Sequence, residues 1–235
     1  MYLDLFKSEL HKLKRNKIWY SVFLLPIFSV GLQFCIFFYK EKTMEITWNE
    51  YVTWNHSFFP CFLYIFISIF YYTVINNEYN NSTWRVIFIT PVARTHIFIV
   101  KWLVGNILML ISLIIGTFLV FITALFLQIS DISVIKLFYF PLYLWLGAQG
   151  MIAIFSMLSI IIKNGVISIS IGIVSSLLYL QNSNQKLLPI SYPAWVIGPD
   201  ASYSIHYLVP YMSMSLIVTI FAILMGIFSV NKKDF

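Results

Sequence analysis

Long apolar runs broken by short polar stretches dominate this chain. In six windows no charged side chain interrupts the run: 18–39, 57–77, 102–130, 137–162, 164–185 and 207–231. A helix needs about 20 residues to cross a hydrocarbon core of about 30 Å, so each window predicts one membrane-spanning helix. Trimmed of polar ends, the spans fall at 18–39, 58–75, 102–127, 137–162, 165–181 and 211–230. Residues 1–17 keep a different rhythm. At about 100° per residue, Tyr2, Leu3, Phe6, Leu10 and Leu13 share one arc while Lys7, His11, Lys14 and Arg15 gather away from it. That pattern predicts an amphipathic helix lying on the membrane surface. The expected fold is all-α: a polytopic membrane protein with six transmembrane helices and an N-terminal interfacial helix, forming a single transmembrane domain over 1–235.

Charge sets the orientation. Alternate threading of six spans puts both termini on one side, together with Lys7, Lys12, Lys14, Arg15, Lys17, Arg85, Arg94, Lys101, Lys163, Lys232 and Lys233. The other side holds Lys40, Lys42, Lys136 and Lys186. Basic residues concentrate on cytoplasmic loops, so both termini are expected in the cytoplasm. The net charge of +6 then reads as an orientation signal and a match to the anionic inner leaflet. The basic residues are dispersed around helix ends, which speaks against nucleic acid as a partner.

The loops between spans carry the remaining signals. Residues 76–100 form the one substantial cytoplasmic segment. Asn76 or Asn77 is placed to cap a short helix with Glu78 in its first turn, and Thr90-Pro91 ends it, because the residue before proline avoids helical geometry. Thr95 is placed to cap the third span, with Lys101 snorkelling at its inner boundary. In the fifth span Gly165, Ser168, Gly172 and Ser175 recur at helical spacing, a small-residue face of the kind that lets helices approach closely in lipid. Residues 181–210 are apolar and hold four prolines, as expected of an outer segment set in the outer leaflet or against other helices. Cys35 and Cys61, near the outer ends of their spans, read better as two small apolar side chains than as a disulfide.

Composition removes several functions. With 60% hydrophobic and 10% charged residues and a mean hydropathy of +0.85, the chain lies far from the roughly one-quarter charged content of soluble domains. There is no phosphate-cradling Gly-x-x-x-x-Gly-Lys-Ser/Thr loop, no serine-nucleophile motif within a span and no His-Glu-x-x-His metal set. His11, His56, His96 and His206 are scattered near helix ends and loops and read as interface residues. Catalytic, cofactor and metal residues are therefore expected to be absent, and the chain is not itself expected to be an enzyme. No Asp, Glu, Lys or Arg lies in the middle of a span, whereas ion-coupled transporters keep ionisable groups there. If this protein moves a substrate, its energy comes from elsewhere.

Two motifs carry a resemblance. Phe6-x-x-Glu9-x-x-Lys12-x-Lys14-Arg15 opens the chain, and Glu78-x5-Trp84-Arg85-x5-Pro91-x-x-Arg94-x6-Lys101 surrounds the inner loop. With the amphipathic start, six spans and hydrophobic outer segment, they resemble the ABC-2 type permeases, and within these most closely the small permease subunits of lantibiotic and bacteriocin self-immunity exporters. Thr95-His96 departs from the family's usual start of the third span. The resemblance implies a bacterial plasma-membrane protein that pairs with a second, non-identical permease and a cytoplasmic ATPase dimer, with ATP and magnesium bound by those ATPase subunits only. It implies a coupling helix at about 77–89, with Glu78, Tyr79, Asn81, Trp84, Arg85 and Phe88 contacting the ATPase, and permease–permease packing through Gly165, Ser168, Gly172 and Ser175. The implied function is expulsion of a membrane-active peptide drawn from the lipid. Export of another amphipathic substrate (a drug, lipid or toxin-like peptide) and a non-transport assembly role stand as alternatives.

Overall fold

The computed structural model describes residues 2–14, 18–40, 46–80, 93–162, 164–182, 187–197 and 204–232. Among them every regular element is helical: α1 (Tyr2–Lys14), α2 (Ile18–Lys40), α3 (Trp48–Asn80), α4 (Arg94–Phe126), α5 (Val134–Ile161), α6 (Gly165–Asn182), a 3-10 turn (Pro189–Ser191), α7 (Tyr192–Ile197) and α8 (Ile205–Lys232). Five of them, α2, α3, α4, α5 and α8, are long and apolar enough to cross a membrane. The sixth, α6, is an apolar helix of 18 residues, about 27 Å at 1.5 Å per residue. The all-helical polytopic protein expected from the apolar windows is the one observed.

Helix ends depart from expectation, each for a local reason. α3 starts at Trp48, inside the expected outer loop 40–57, because Thr47-Trp48-Asn49-Glu50 is a capping box. The Glu50 N–H donates to Thr47 Oγ1 at 3.4 Å, and the Thr47 N–H donates to Glu50 Oε2 at 3.3 Å. At 33 residues, about 50 Å, α3 outreaches the hydrocarbon core. It also continues through Asn76 and Asn77, which therefore cap no new helix. α4 begins at Arg94 behind an extended Ala93 that makes no side-chain cap bond, so Thr95 lies within the helix instead of capping it. α6 does have a side-chain cap: Asn164 Oδ1 accepts from the Val166 N–H at 3.0 Å. Between α4 and α5 the chain turns through Gln128 and Asp131 at φ 49° and 59°, the left-handed region that aspartate tolerates better than most residues.

The core is tightly filled. α3 lies centrally, packed by α2, α5 and α6, with Tyr64, Ile67 and Phe70 wholly buried. Small residues set the close approaches, as in other lipid-embedded bundles. A Cβ at Gly116 of α4 would lie 2.8 Å from the Phe59 ring of α3 and 3.3 Å from Pro26 of α2. One turn away, Ser112 Oγ donates to the Val22 carbonyl at 2.9 Å, tying α4 to α2. α5 pairs most extensively with α8. There Ser215 Oγ accepts from the Gly150 N–H at 3.1 Å and reaches the Gly147 carbonyl at 3.0 Å.

Each end of the bundle has its own chemistry. At one end the start of α4 meets both α1 and the end of α8: Glu9 pairs with Lys101, and Gly226 abuts the Phe98 ring. Both termini therefore come to the same end, as alternate threading requires. At the other end Lys136 Nζ donates to Asn49 Oδ1 at 2.7 Å, and Tyr51 hydrogen-bonds Thr123. Of the outer segment, residues 187–197 are described and pack on α5 and α8. Cys35 is exposed and Cys61 buried, and no disulfide joins them.

Candidate functional site

Buried charge among the described residues is confined to the inner end of the bundle, which is therefore the candidate site. Among the described residues Glu9 and Lys101 are the only charged side chains that are buried. They reach one another across different elements. Lys101 Nζ donates to Glu9 Oε2 at 2.8 Å, and Lys12 Nζ donates to Glu9 Oε1 at 2.6 Å. The Lys101 side chain is 2% exposed and that of Glu9 10%, whereas Lys12 is 46% exposed. Both carboxylate oxygens are thus occupied by cations, one from the protein interior and one from its surface.

Sequence places these groups in register. On α1, Leu5, Phe6, Leu10 and Leu13 face the core, and Glu9 lies on the same side, between Phe6 and Leu13. Asp4, Lys7, Ser8, His11 and Lys12 face outward. The observed inward arc thus gains Leu5 and Glu9 over the arc expected from the apolar pattern. Burial alone would raise the Glu9 carboxyl, but the charges and hydrogen bonds of Lys101 and Lys12 outweigh it and hold the group below its ordinary value. Lys101 does not snorkel to the surface as expected. It lies two turns into α4 and turns to Glu9 of α1, whose carboxylate satisfies the ammonium where water does not reach. The Trp19 indole adds a neutral tie at the root of α2, its Nε1 donating to the Leu13 carbonyl at 3.1 Å.

The residues expected to contact an ATPase divide into two groups. Glu78 and Tyr79 lie in the last turn of α3, so the expected short helix begins as a continuation of the span. Asn81, Trp84, Arg85 and Phe88 lie outside the described residues. Ala93 directly precedes α4, two turns before Lys101. The loop in question therefore connects the long central helix α3 to the helix that carries the ion pair.

The small-residue face of α6 has a different setting from the expected one. Ser168 is 2% exposed and Ser175 7%. A Cβ at Gly172 would lie 3.1 Å from the Tyr64 carbonyl and closer still to the Ser68 side chain. Tyr179 meets Tyr64 edge-on at 6.0 Å. The face expected to pack on a second permease is filled by α3 of the same chain, and Gly165 begins that helix. The opposite face of α6 turns outward, with Val166, Ile173, Val174 and Leu177 exposed, as are Phe23, Ile27, Phe28 and Leu32 of α2.

Sequence reasoning missed the Glu9–Lys101 pairing although both residues stood within the two quoted motifs. The available signal was a carboxylate on the apolar side of an amphipathic helix, where a freely floating surface helix would carry only apolar groups. Residues 5–179 match the family model described as ABC-2 family transporter protein. The match opens inside α1 and closes in α6, so it takes in both members of the ion pair. No curated protein matches the chain.

Proposed function

This chain belongs to the ABC-2 transporter family, and from that premise we propose that it is the membrane-spanning permease of an ATP-driven exporter that expels a membrane-active peptide of the antimicrobial, lantibiotic kind from a bacterial plasma membrane. Permeases of this family are transmembrane components that work with a separate ABC ATPase. The peptide, the second permease and the direction of movement belong to the proposal.

One observation carries the reading: among the described residues the middle of the helix bundle is densely filled, and large apolar side chains of α2 and α6 face outward. With Tyr64, Ile67, Phe70, Leu144 and Ile152 at 0% exposure, a substrate path through the middle of one chain would have to displace its core. A path along the outer faces of α2 and α6, closed by a second permease and open to lipid, displaces none. Such a path is apolar and uncharged along its length, which suits an amphipathic guest that enters sideways from the bilayer. The helices also lack the mid-membrane ionisable groups that ion coupling uses, so work has to arrive from a cytoplasmic ATPase. Residues 77–89 are the proposed contact, with Glu78, Tyr79, Asn81, Trp84, Arg85 and Phe88 docking on the ATPase; a short interfacial anchor is the simpler role for Trp84 and Arg85. Support comes from the position of this stretch, between α3 and α4 at the end that collects both termini.

Two measurements test the reading. The chain is expected to co-purify with an ABC ATPase and to lose it on the double substitution Trp84→Ala, Arg85→Glu; retention of the ATPase rules out the proposed contact. Cells lacking the gene are expected to become more sensitive to membrane-active peptides. Unchanged sensitivity across such peptides removes the peptide and leaves another amphipathic substrate.

A further inference from the structure

We infer that Glu9 and Lys101 form a positioning pair that makes the surface helix α1 a rigid extension of α4, so that thrust delivered to the start of α4 also reaches α2. This inference rests on the permease reading and says how work crosses from the cytoplasmic loop into the spans.

Three observations carry it. A helix that only floats among lipid headgroups gains nothing from a carboxylate on its buried side. Here Glu9 holds that position, and its partner comes from another span, 92 residues away along the chain. Among the described elements α4 is the one on which α1 chiefly packs. And the pair stands seven residues above Arg94, about 10 Å along the helix, at the root of the helix into which the coupling loop feeds. Displacement of Arg94 therefore moves Lys101, and a charge-assisted bond of 2.8 Å with both partners desolvated holds its geometry better than apolar contact, which slides. From α1 the chain passes to α2, which α4 also grips through Ser112 and Gly116. The two helices are thus driven together, from the surface and from within the bilayer.

The test uses the full permease with its co-purifying ATPase in vesicles, and as probe a dansylated cationic peptide of alternating Lys and Leu. The variants are Glu9→Gln, Lys101→Met and the exchange Glu9→Lys with Lys101→Glu, made together with Lys12→Gln because Lys12 also touches Glu9. Each single variant is expected to hydrolyse ATP within about twofold of the wild-type rate while peptide moved per ATP falls about tenfold, the size of an ordinary coupling energy. The exchange is expected to restore more than half of the lost coupling; loss of a merely structural contact would instead lower hydrolysis and transport together. Spin labels at Lys7→Cys and Ile107→Cys, with Cys35→Ser and Cys61→Ala, supply a readout that needs no peptide. The wild type should give one narrow distance with and without vanadate-trapped nucleotide, the single variants a broad one, and the exchange a narrow one again. Wild-type coupling in the single variants, no recovery in the exchange, or a wild-type distance that broadens on trapping overturns the pair. A wild type that binds no ATPase overturns the permease reading instead, and the label distances still judge the pair by itself.

Discussion

The inner and outer sides of this bundle each carry an element packed against the long helices, α1 on α4 and the segment from Pro189 to Ile197 on α5 and α8, yet the two are fastened by opposite means. At the inner end α1 is secured by a buried ion pair, Glu9 with Lys101. At the outer end the segment from Pro189 to Ile197 is secured by rings and backbone. Trp195 stacks on Tyr211 at 5.8 Å, Tyr64 donates to the Ile190 carbonyl, and Pro193 sits directly over Gly147. A charged contact is directional and is either made or broken. An aromatic and steric contact is graded, and it tolerates the loss of one ring. The inner end therefore suits transmission of a push, and the outer end suits a cover that has to yield and re-seat.

Substitutions on the two sides should break this contrast unequally. The largest effect is expected from Glu9→Ala, which strands the Lys101 ammonium in the interior. Removing one member of a buried pair costs about 3–5 kcal/mol. Release of α1 caps that loss, so it should appear as local proteolysis of residues 1–17 ahead of global melting. Next comes Gly147→Ala. The added Cβ would lie 2.7 Å from Pro193 Cα and 3.0 Å from the Tyr192 carbonyl oxygen, backbone atoms that cannot rotate away. Overpacking of this kind costs about 1–3 kcal/mol and should expose the outer segment to protease added outside the cell, with the inner end untouched. Tyr64→Phe should cost about 1 kcal/mol through one lost hydrogen bond, read as a small fall in melting temperature in detergent.

The same contrast has a pH signature. The Glu9 carboxyl is held below its ordinary value in the folded protein, where burial is outweighed by Lys101 and Lys12. A depressed folded pKa contributes stability that is fully present above the unfolded value and is lost as pH falls through the folded one. The attachment of α1 should accordingly be unchanged from pH 8 down to about 5 and loosen only in more acidic solution. The outer segment, held by neutral groups, should show no such step. Protease protection of α1 and of residues 187–197 across that range separates the two.

The two ends were not equally legible in the sequence. Charge-free windows gave the spans, because the cost of an unpaired charge in hydrocarbon is too large for the pattern to blur. The outer segment's apolar, proline-rich character was visible as well, and its packing on α5 and α8 follows from it. The boundary of α3 escaped because hydropathy does not register a capping box: Thr47 and Glu50 are polar whether or not they start a helix. The ion pair escaped for a deeper reason. Nothing in the local pattern around Glu9 or Lys101 says that residues 92 positions apart meet, and only the fold brings α1 under α4. The small face of α6 taught the converse lesson. Its spacing correctly announced close helix contact, but spacing cannot say whether the neighbour is another chain or, as here, α3 of the same one.

The account stands or falls on whether this chain is driven from outside itself. The most direct measurement is uptake of a membrane-active peptide into inside-out vesicles that contain the permease with or without its ABC ATPase. Uptake that requires the chain, the ATPase and hydrolysable ATP together is the predicted result. Uptake by the purified chain alone, with no ATPase and no ATP, would contradict it.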